Sequence, residues 1–426
     1  MPSTSPQQQN LLRVMVVDDT KLFRSIMIKV LSSIEGVEVV EIAEDGRDAL
    51  QKLQHTSVDV VFLDVEMPEM NGIQTLKVIK SKWPKLMCIM VSGHNQSNVE
   101  VTIDALNQGA YDFVSKPSDG SATESENNLR QQLHSQLRTI LWQRQQTGLR
   151  LRQQGQLAKS TGRSAKLTSQ ENSADSTEYS PEFIDQAKRR SKSMVDDHDT
   201  CEARQLMDKS RQQLAKAAPA LASRKKKPAS MNVSHPIEAV LIGISTGGPA
   251  ALTTLVKALS PKIRVPILIV QHMPPKFTAS FAESLNTQTA LTVKEASDAE
   301  QCLKGHIYIA PGGRHMEVER REGGMHFTKL TDNPPVNSCR PAVDALFISA
   351  AKEYRKGVLA IIMTGMGQDG THGVRALKKG ANVTVLTQEA GSCTVYGMPK
   401  AVDESGLSDA SFNLLDLAAQ INALTT

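Results

Sequence analysis

Between residues 11 and 117, short and nearly unbroken apolar runs alternate with amphipathic stretches. The alternation predicts strands over 13–19, 37–44, 58–64, 86–92 and 112–115, separated by helices over 21–33, 46–54, 72–82 and 97–108. Strands that are apolar on both faces belong to a parallel sheet with helices packed on either side. A further helix fits 125–145, where Leu129, Leu133, Leu137, Ile140 and Leu141 fall on one stripe. The rhythm then decays. From about 147 to 235, Gln, Ser, Lys, Arg and Asp dominate, ending in Arg224-Lys225-Lys226-Lys227-Pro228. Such a segment buries too little apolar surface to offset the entropy of ordering its backbone, and it reads as a long flexible linker.

Regular patterning resumes at Glu238. It predicts strands over 238–244, 266–271, 306–310, 358–364 and 382–387, helices over 249–258, 277–286, 341–354 and 371–379, and a hairpin over 314–330 turning at Gly323-Gly324. The expected architecture is therefore α/β throughout. Two doubly wound parallel-sheet domains, 11–146 and 236–426, flank a basic polar linker over 147–235.

Composition changes this picture little. A chain of 426 residues with 40% hydrophobic and 22% charged content is an ordinary globular one. No apolar run reaches the ~18 residues of a membrane span, and the first ten residues lack a secretory signal, so a cytoplasmic protein without membrane insertion is expected. The five cysteines (Cys88, Cys201, Cys302, Cys339 and Cys393) form no C-x-x-C pair, which argues against a disulfide framework or a zinc site. The net charge of +4 is uneven: −5 over 1–119, +8 over 120–235 and +1 over 236–426. Aromatic content is only 4% and no helix-turn-helix pattern accompanies the basic middle, so nucleic acid is not an expected partner.

Ligand sites of open parallel sheets gather at the carboxyl ends of strands. In the N-terminal domain those ends carry Asp18-Asp19, Asp64, Ser92 and Lys116-Pro117. Three converging carboxylates repel one another unless a cation sits among them, and Mg2+, a hard ion taking oxygen ligands, suits them. One carboxylate could then attack a phosphoryl group while a lysine and a hydroxyl hold its oxygens. These residues resemble the receiver domain of response regulators across essentially all of 11–117. The resemblance implies a flavodoxin-like fold, Asp64 as phosphoacceptor, Asp18, Asp19 and Asp64 as Mg2+ ligands, and Ser92, Phe113 and Lys116 as switch and phosphate-contacting residues.

In the C-terminal domain, Gly243-Ile244-Ser245-Thr246-Gly247 satisfies G-x-S-x-G between a strand and a helix. A sharp turn there exposes Ser245 beside the free N–H groups of a helix start. Strand 266–271 ends at His272, and strand 358–364 runs into Gly365-Met366-Gly367-Gln368-Asp369-Gly370. Ser245 as nucleophile, His272 as general base and Asp369 as its orienting partner could therefore assemble at one sheet edge. The order Ser…His…Asp departs from that of α/β-hydrolases. His315 and His372 compete for the base role, and Gly365-x-Gly367-x-x-Gly370 with Glu389 formally matches a dinucleotide fingerprint, although after a late strand rather than a first one.

Four long motifs narrow the choice: 242–249, 271–278, 309–315 and 363–370. Together, in this order, they resemble the chemotaxis protein-glutamate methylesterases (the CheB family) over about 238–420, with the receiver as that family's other half. The resemblance implies a Rossmann-like catalytic domain that needs no cofactor, with Ser245, His272 and Asp369 as a triad. It also places Thr246 and Met366 near the oxyanion or intermediate. The implied reaction is hydrolysis of glutamate γ-methyl esters, with deamidation of glutamine in some relatives. The implied partners are methyl-accepting chemoreceptors as substrate and a chemotaxis histidine kinase as phosphodonor. This chain departs from the family pattern at Cys339, where histidine is expected, at Ala342, where serine is common, and in a linker that looks unusually long.

Overall fold

The computed structural model describes residues 11–116 apart from His94, most of 126–144, and 231–426 apart from Asn232. The expected linker over 147–235 lies, save for its last few positions, outside the described residues. Two open sheets organise the rest, and both fall within one compact unit.

The first sheet contains β1 (Leu12–Val17), β2 (Val37–Ala43), β3 (Val60–Asp64), β4 (Met87–Ser92) and β5 (Asp112–Ser115), all parallel, in the order β2-β1-β3-β4-β5. This is the flavodoxin-like order, in which the strand direction of growth reverses between β1 and β3. Every residue of β3 is buried, as a central strand covered on both faces requires. The helices α1 (Lys21–Ser32), α2 (Gly46–Lys52), α3 (Gly72–Lys82) and α4 (Gln96–Asn107) lie within two residues of their expected limits. Side-chain caps start three of them. Asp45 accepts from the first turn of α2, Asn71 and Gln74 form a capping box on α3, and Asn95 caps α4. Helical residues recur between 126 and 144, where Leu129, Leu133, Leu137 and Ile140 are buried in one cluster with Met27, Val30 and Phe62.

The second sheet is wider than expected. Its seven parallel strands run β14-β13-β12-β6-β7-β9-β8. They are β6 (Ala239–Ile244), β7 (Ile267–Gln271), β8 (Thr292–Glu295), β9 (His306–Ile309), β12 (Val358–Ile362), β13 (Val383–Gln388) and β14 (Ala410–Phe412). A two-stranded hairpin, β10 (His315–Arg320) with β11 (His326–Thr331), projects between β9 and β12, and Gly323 and Gly324 both take positive φ at its turn. Helices α5 (Gly248–Lys257), α6 (Phe277–Asn286), α7 (Val343–Glu353), α8 (Thr371–Gly380), α9 (Met398–Glu404) and α10 (Leu414–Thr425) complete the domain. The chain starts at β6 and grows to one side through β7, then returns to the other through β12. Loops after β6, β7 and β12 therefore surround the crevice at this switch point.

The two sheets meet through α4, which packs against α5 and α6. The Asn107 amide is used at both ends: Thr253 donates to its oxygen (3.0 Å) and its nitrogen donates to Ser284 (3.2 Å). Beside it, the rings of Phe113 and Phe277 stack with centroids 4.5 Å apart. Such a pair contributes about 1 kcal/mol beyond the area it buries. Among the described residues, no helix is long and apolar enough to cross a membrane.

Candidate functional site

The serine turn is built to be rigid. The Ser245 N–H donates to Thr364 O (2.9 Å), and Gly248 N–H donates to Ser245 O (2.7 Å). Gly247 takes φ 72°, and a Cβ there would run into Thr394, so both conformation and space require glycine. Gln271 donates from its amide to the carbonyls of Ser245 (3.1 Å) and His272 (3.2 Å), and the Thr364 hydroxyl donates to Thr246 O (3.0 Å). These bonds clamp the ends of β6, β7 and β12 together. Pro249, in the first turn of α5, needs no N–H partner there.

His272 then bridges the other two residues. Its Nδ1 lies 3.0 Å from Ser245 Oγ and its Nε2 lies 2.8 Å from Asp369 Oδ2. An ionised carboxylate can only accept, so in the neutral imidazole Nε2 carries the proton and Nδ1 is left to accept from the serine hydroxyl. Asp369 is 3% exposed and accepts further bonds from the N–H groups of Val343 (2.7 Å), Asp344 (3.1 Å) and Gly370 (3.0 Å). Burial alone would raise its pKa, but the bond and charge of His272 and these backbone donors hold it below the usual carboxylate value. Burial likewise disfavours charging His272. The bond to Asp369, with Cys339 beside it, outweighs burial and pushes the imidazole up to about 10.

The other expected residues fall around this row. Thr246 lines a cavity of about 390 Å³ with Ser245, His272 and Gln271, while Met366 borders a neighbouring recess with Gly367 and Tyr396. His315 is not part of the row. Its Nδ1 accepts from Ala342 N–H (3.2 Å) and its Nε2 therefore donates to Pro334 O (3.1 Å), a tie that holds the loop before α7. Two further neighbours join the row, one of them the Cys339 that departs from the family pattern. Cys339 Sγ lies 3.6 Å from His272 Nδ1, and Asn337 donates to Asp369. Both sit on the irregular loop 332–342, which carries no hydrophobic period and no recognisable spacing. The glycines of the dinucleotide-like fingerprint instead shape the turn that aims Asp369.

In the first sheet, Asp18, Asp19 and Asp64 present ligand atoms all within 4.8 Å of one another. An all-oxygen donor set of this kind, gathered at one strand edge, fits a hard divalent cation. Lys116 Nζ lies 2.8 Å from both Asp18 Oδ2 and Asp64 Oδ2. Burial pushes Asp64 up to about 7 against the pull of Lys116, with the charge of Asp18 adding to the rise. Beneath the acidic pair, the buried Arg24 donates to the backbone carbonyls of Asp18 (2.7 Å) and Asp19 (3.0 Å). The Ser92 hydroxyl bonds towards α4, donating to Asn98 O (3.3 Å) and accepting from Thr102 (2.7 Å), while Phe113 faces Phe277.

Comparison with known proteins agrees with both halves. The family model for the response regulator receiver domain matches residues 14–125, and that for CheB methylesterase matches 240–421. The protein-glutamate methylesterase/protein-glutamine glutaminase of Desulfotalea psychrophila is 37% identical over 96% of this chain and 97% of its own. Its counterpart in Clostridium acetobutylicum is 33% identical over 96% of each. The Thermotoga maritima CheB methylesterase catalytic domain, at 38% identity, covers 44% of this chain and 99% of its own with a TM-score of 0.43. The chain belongs to the CheB methylesterase family, whose members join a response-regulator receiver to a hydrolase domain.

Proposed function

We propose that this chain hydrolyses γ-methyl esters of glutamate side chains on methyl-accepting chemoreceptors, and that phosphorylation of Asp64 by a chemotaxis histidine kinase raises the rate. The hydrogen-bonded row Ser245–His272–Asp369 carries the reading. His272 Nδ1 takes the serine proton as Oγ attacks the ester carbonyl, and Asp369 holds the imidazolium that forms. The turn at Thr246, the positive end of α5 and the segment around Met366 frame the developing oxyanion. His272 returns the proton to the departing methanol, and water then repeats the sequence to release the acid. The same attack with ammonia leaving would act on glutamine, the second activity in the relatives' names. Methanol release from a methylated receptor, with and without Ser245, tests the reading.

Only a neutral imidazole can accept the serine proton, and the pKa of His272 is raised. The sign follows: kcat/KM is expected to climb with pH along a limb lying above the ordinary imidazole range near 6.5. A pH–rate profile that levels off by pH 6.5 would contradict it.

For control, we propose that the unphosphorylated receiver covers the catalytic face. The cavity beside Ser245 and His272 is walled on its other side by Asp112, Phe113, Ser115, Gln132 and Gln136. Drawing Phe113 and Ser92 inward on phosphorylation would give up the stack on Phe277 and loosen that wall. Asp18, Asp19 and Asp64 would hold Mg2+, which when bound neutralises charge around the transferring phosphoryl group. Chelating divalent cations with EDTA is expected to reduce phosphoryl incorporation to background, and added Mg2+ to restore it. Full labelling in EDTA would remove the metal from the scheme.

A further inference from the structure

We infer that Asn337, by bridging the buried carboxylates of Asp344 and Asp369, is a positioning residue that sets how Asp369 acts on His272. The inference rests on the hydrolase reading above and adds to it a fourth and a fifth residue, neither of which touches substrate.

The geometry is specific. The Asn337 amide nitrogen lies 3.0 Å from Asp344 Oδ2 and 3.1 Å from Asp369 Oδ1. Both partners only accept when ionised, so the amide must present its NH2 group, and each of its two protons serves a different carboxylate. Asp344 is 2% exposed and Asp369 3% exposed. Like charges so placed repel strongly unless donors lie between them. The remaining Asp344 oxygen, Oδ1, accepts from Gly370 N–H (2.9 Å) and Gly373 N–H (2.7 Å), which ties α7 to the turn that carries Asp369. The two aspartates are thus locked to one another by backbone, and Asn337 is the side chain that bridges them.

The backbone explains why asparagine stands there. Asn337 and Ser338 take φ of 52° and 63°, in the left-handed region that asparagine tolerates better than most residues. The loop is held at its base by His315, so the amide is delivered from a fixed platform. The titratable groups around the pair are His272 after β7, Cys339 on the same loop, His372 in the first turn of α8 and the tethered His315.

Removing the amide withdraws a donor from Asp369 and exposes it to the charge of Asp344. The negative potential at His272 deepens, the imidazolium is favoured, and the base becomes available only at higher pH. Asn337→Gly suits the test, because glycine adopts this backbone freely and folding is spared. Asn337→Asp keeps the size but replaces the donor with a third acceptor. In the full-length protein both variants are expected to move the acid limb of the methanol-release profile upward by about one pH unit. They should also lower kcat ~10-fold at pH 7, with KM within ~2-fold of wild type. A limb that stays at the wild-type position in either variant overturns the inference, even if the rate falls. Wild type and Ser245→Ala, run in parallel, test the parent reading separately: no turnover in wild type, or full turnover in Ser245→Ala, overturns the hydrolase assignment itself.

Discussion

Methanol release from a methylated receptor is expected to fall by about 10⁴-fold or more when Ser245 is replaced by alanine, with little change in thermal midpoint. The size follows from what the substitution removes. Without Oγ there is no acyl-enzyme, and His272 is left to activate water in a pocket shaped for a serine. The small effect on folding follows from how the turn is held. Its bonds run from the backbone of Ser245 to Thr364, Gly248 and the Gln271 amide, and none uses the hydroxyl. Steady-state turnover paired with a melting curve separates the two. A variant that melts like wild type and hydrolyses within tenfold of it would show that ester cleavage does not pass through Ser245.

Asp64→Asn is expected to abolish phosphoryl incorporation from a small phosphodonor and, with it, the rise in esterase rate that the donor produces in wild type. The amide removes the nucleophilic oxygen while keeping the shape. Coupling between sites of this kind is typically 1–3 kcal/mol, so the wild-type rise should fall between about 5-fold and 150-fold. Radiolabel incorporation and methanol release, measured on the same samples, report the two halves. Labelling of Asp64→Asn at the wild-type level would move the acceptor elsewhere. A donor-stimulated rate in the unlabelled variant would uncouple phosphorylation from control.

The sequence made the central strands plain and left the margins dark, for a physical reason. Central parallel strands such as β3 and β7 are buried along their whole length and apolar up to their last residue, so composition alone marks them. β8 and β14 are four and three residues long and partly exposed, and β14 lacks any apolar run at all. The terminal helix α10 does carry a local signal: Asn413 caps it, accepting from Asp416 N–H, and leucines crowd its first turns. Strand order is a different matter. That β12 lies beside β6, joining segments more than a hundred residues apart, has no local trace in either strand.

The site divides in the same way. Ser245, His272 and Asp369 each close a strand or open a helix, and such ends are readable. Asn337 and Cys339 reach the row through an irregular loop whose path is decided by His315, and Asp344 reaches it from the first turn of α7. Nothing in the spacing of those residues points back to Asp369. The ring orientation of His272, with Nδ1 towards serine, was equally out of reach, because it depends on the direction in which β7 and β12 present their loops.

The cavity shared by the two domains has a thermodynamic corollary. If a receiver docked there excludes substrate, then substrate must to the same degree exclude the docked receiver, because the coupling between two binding events is reciprocal. A non-hydrolysable glutamyl ester analogue filling the space between Gln136 and His272 would then promote phosphorylation without approaching the acidic cluster. Occupied receptors would in that sense recruit their own demethylation, and the half-saturating concentration of phosphodonor would drop as analogue is added.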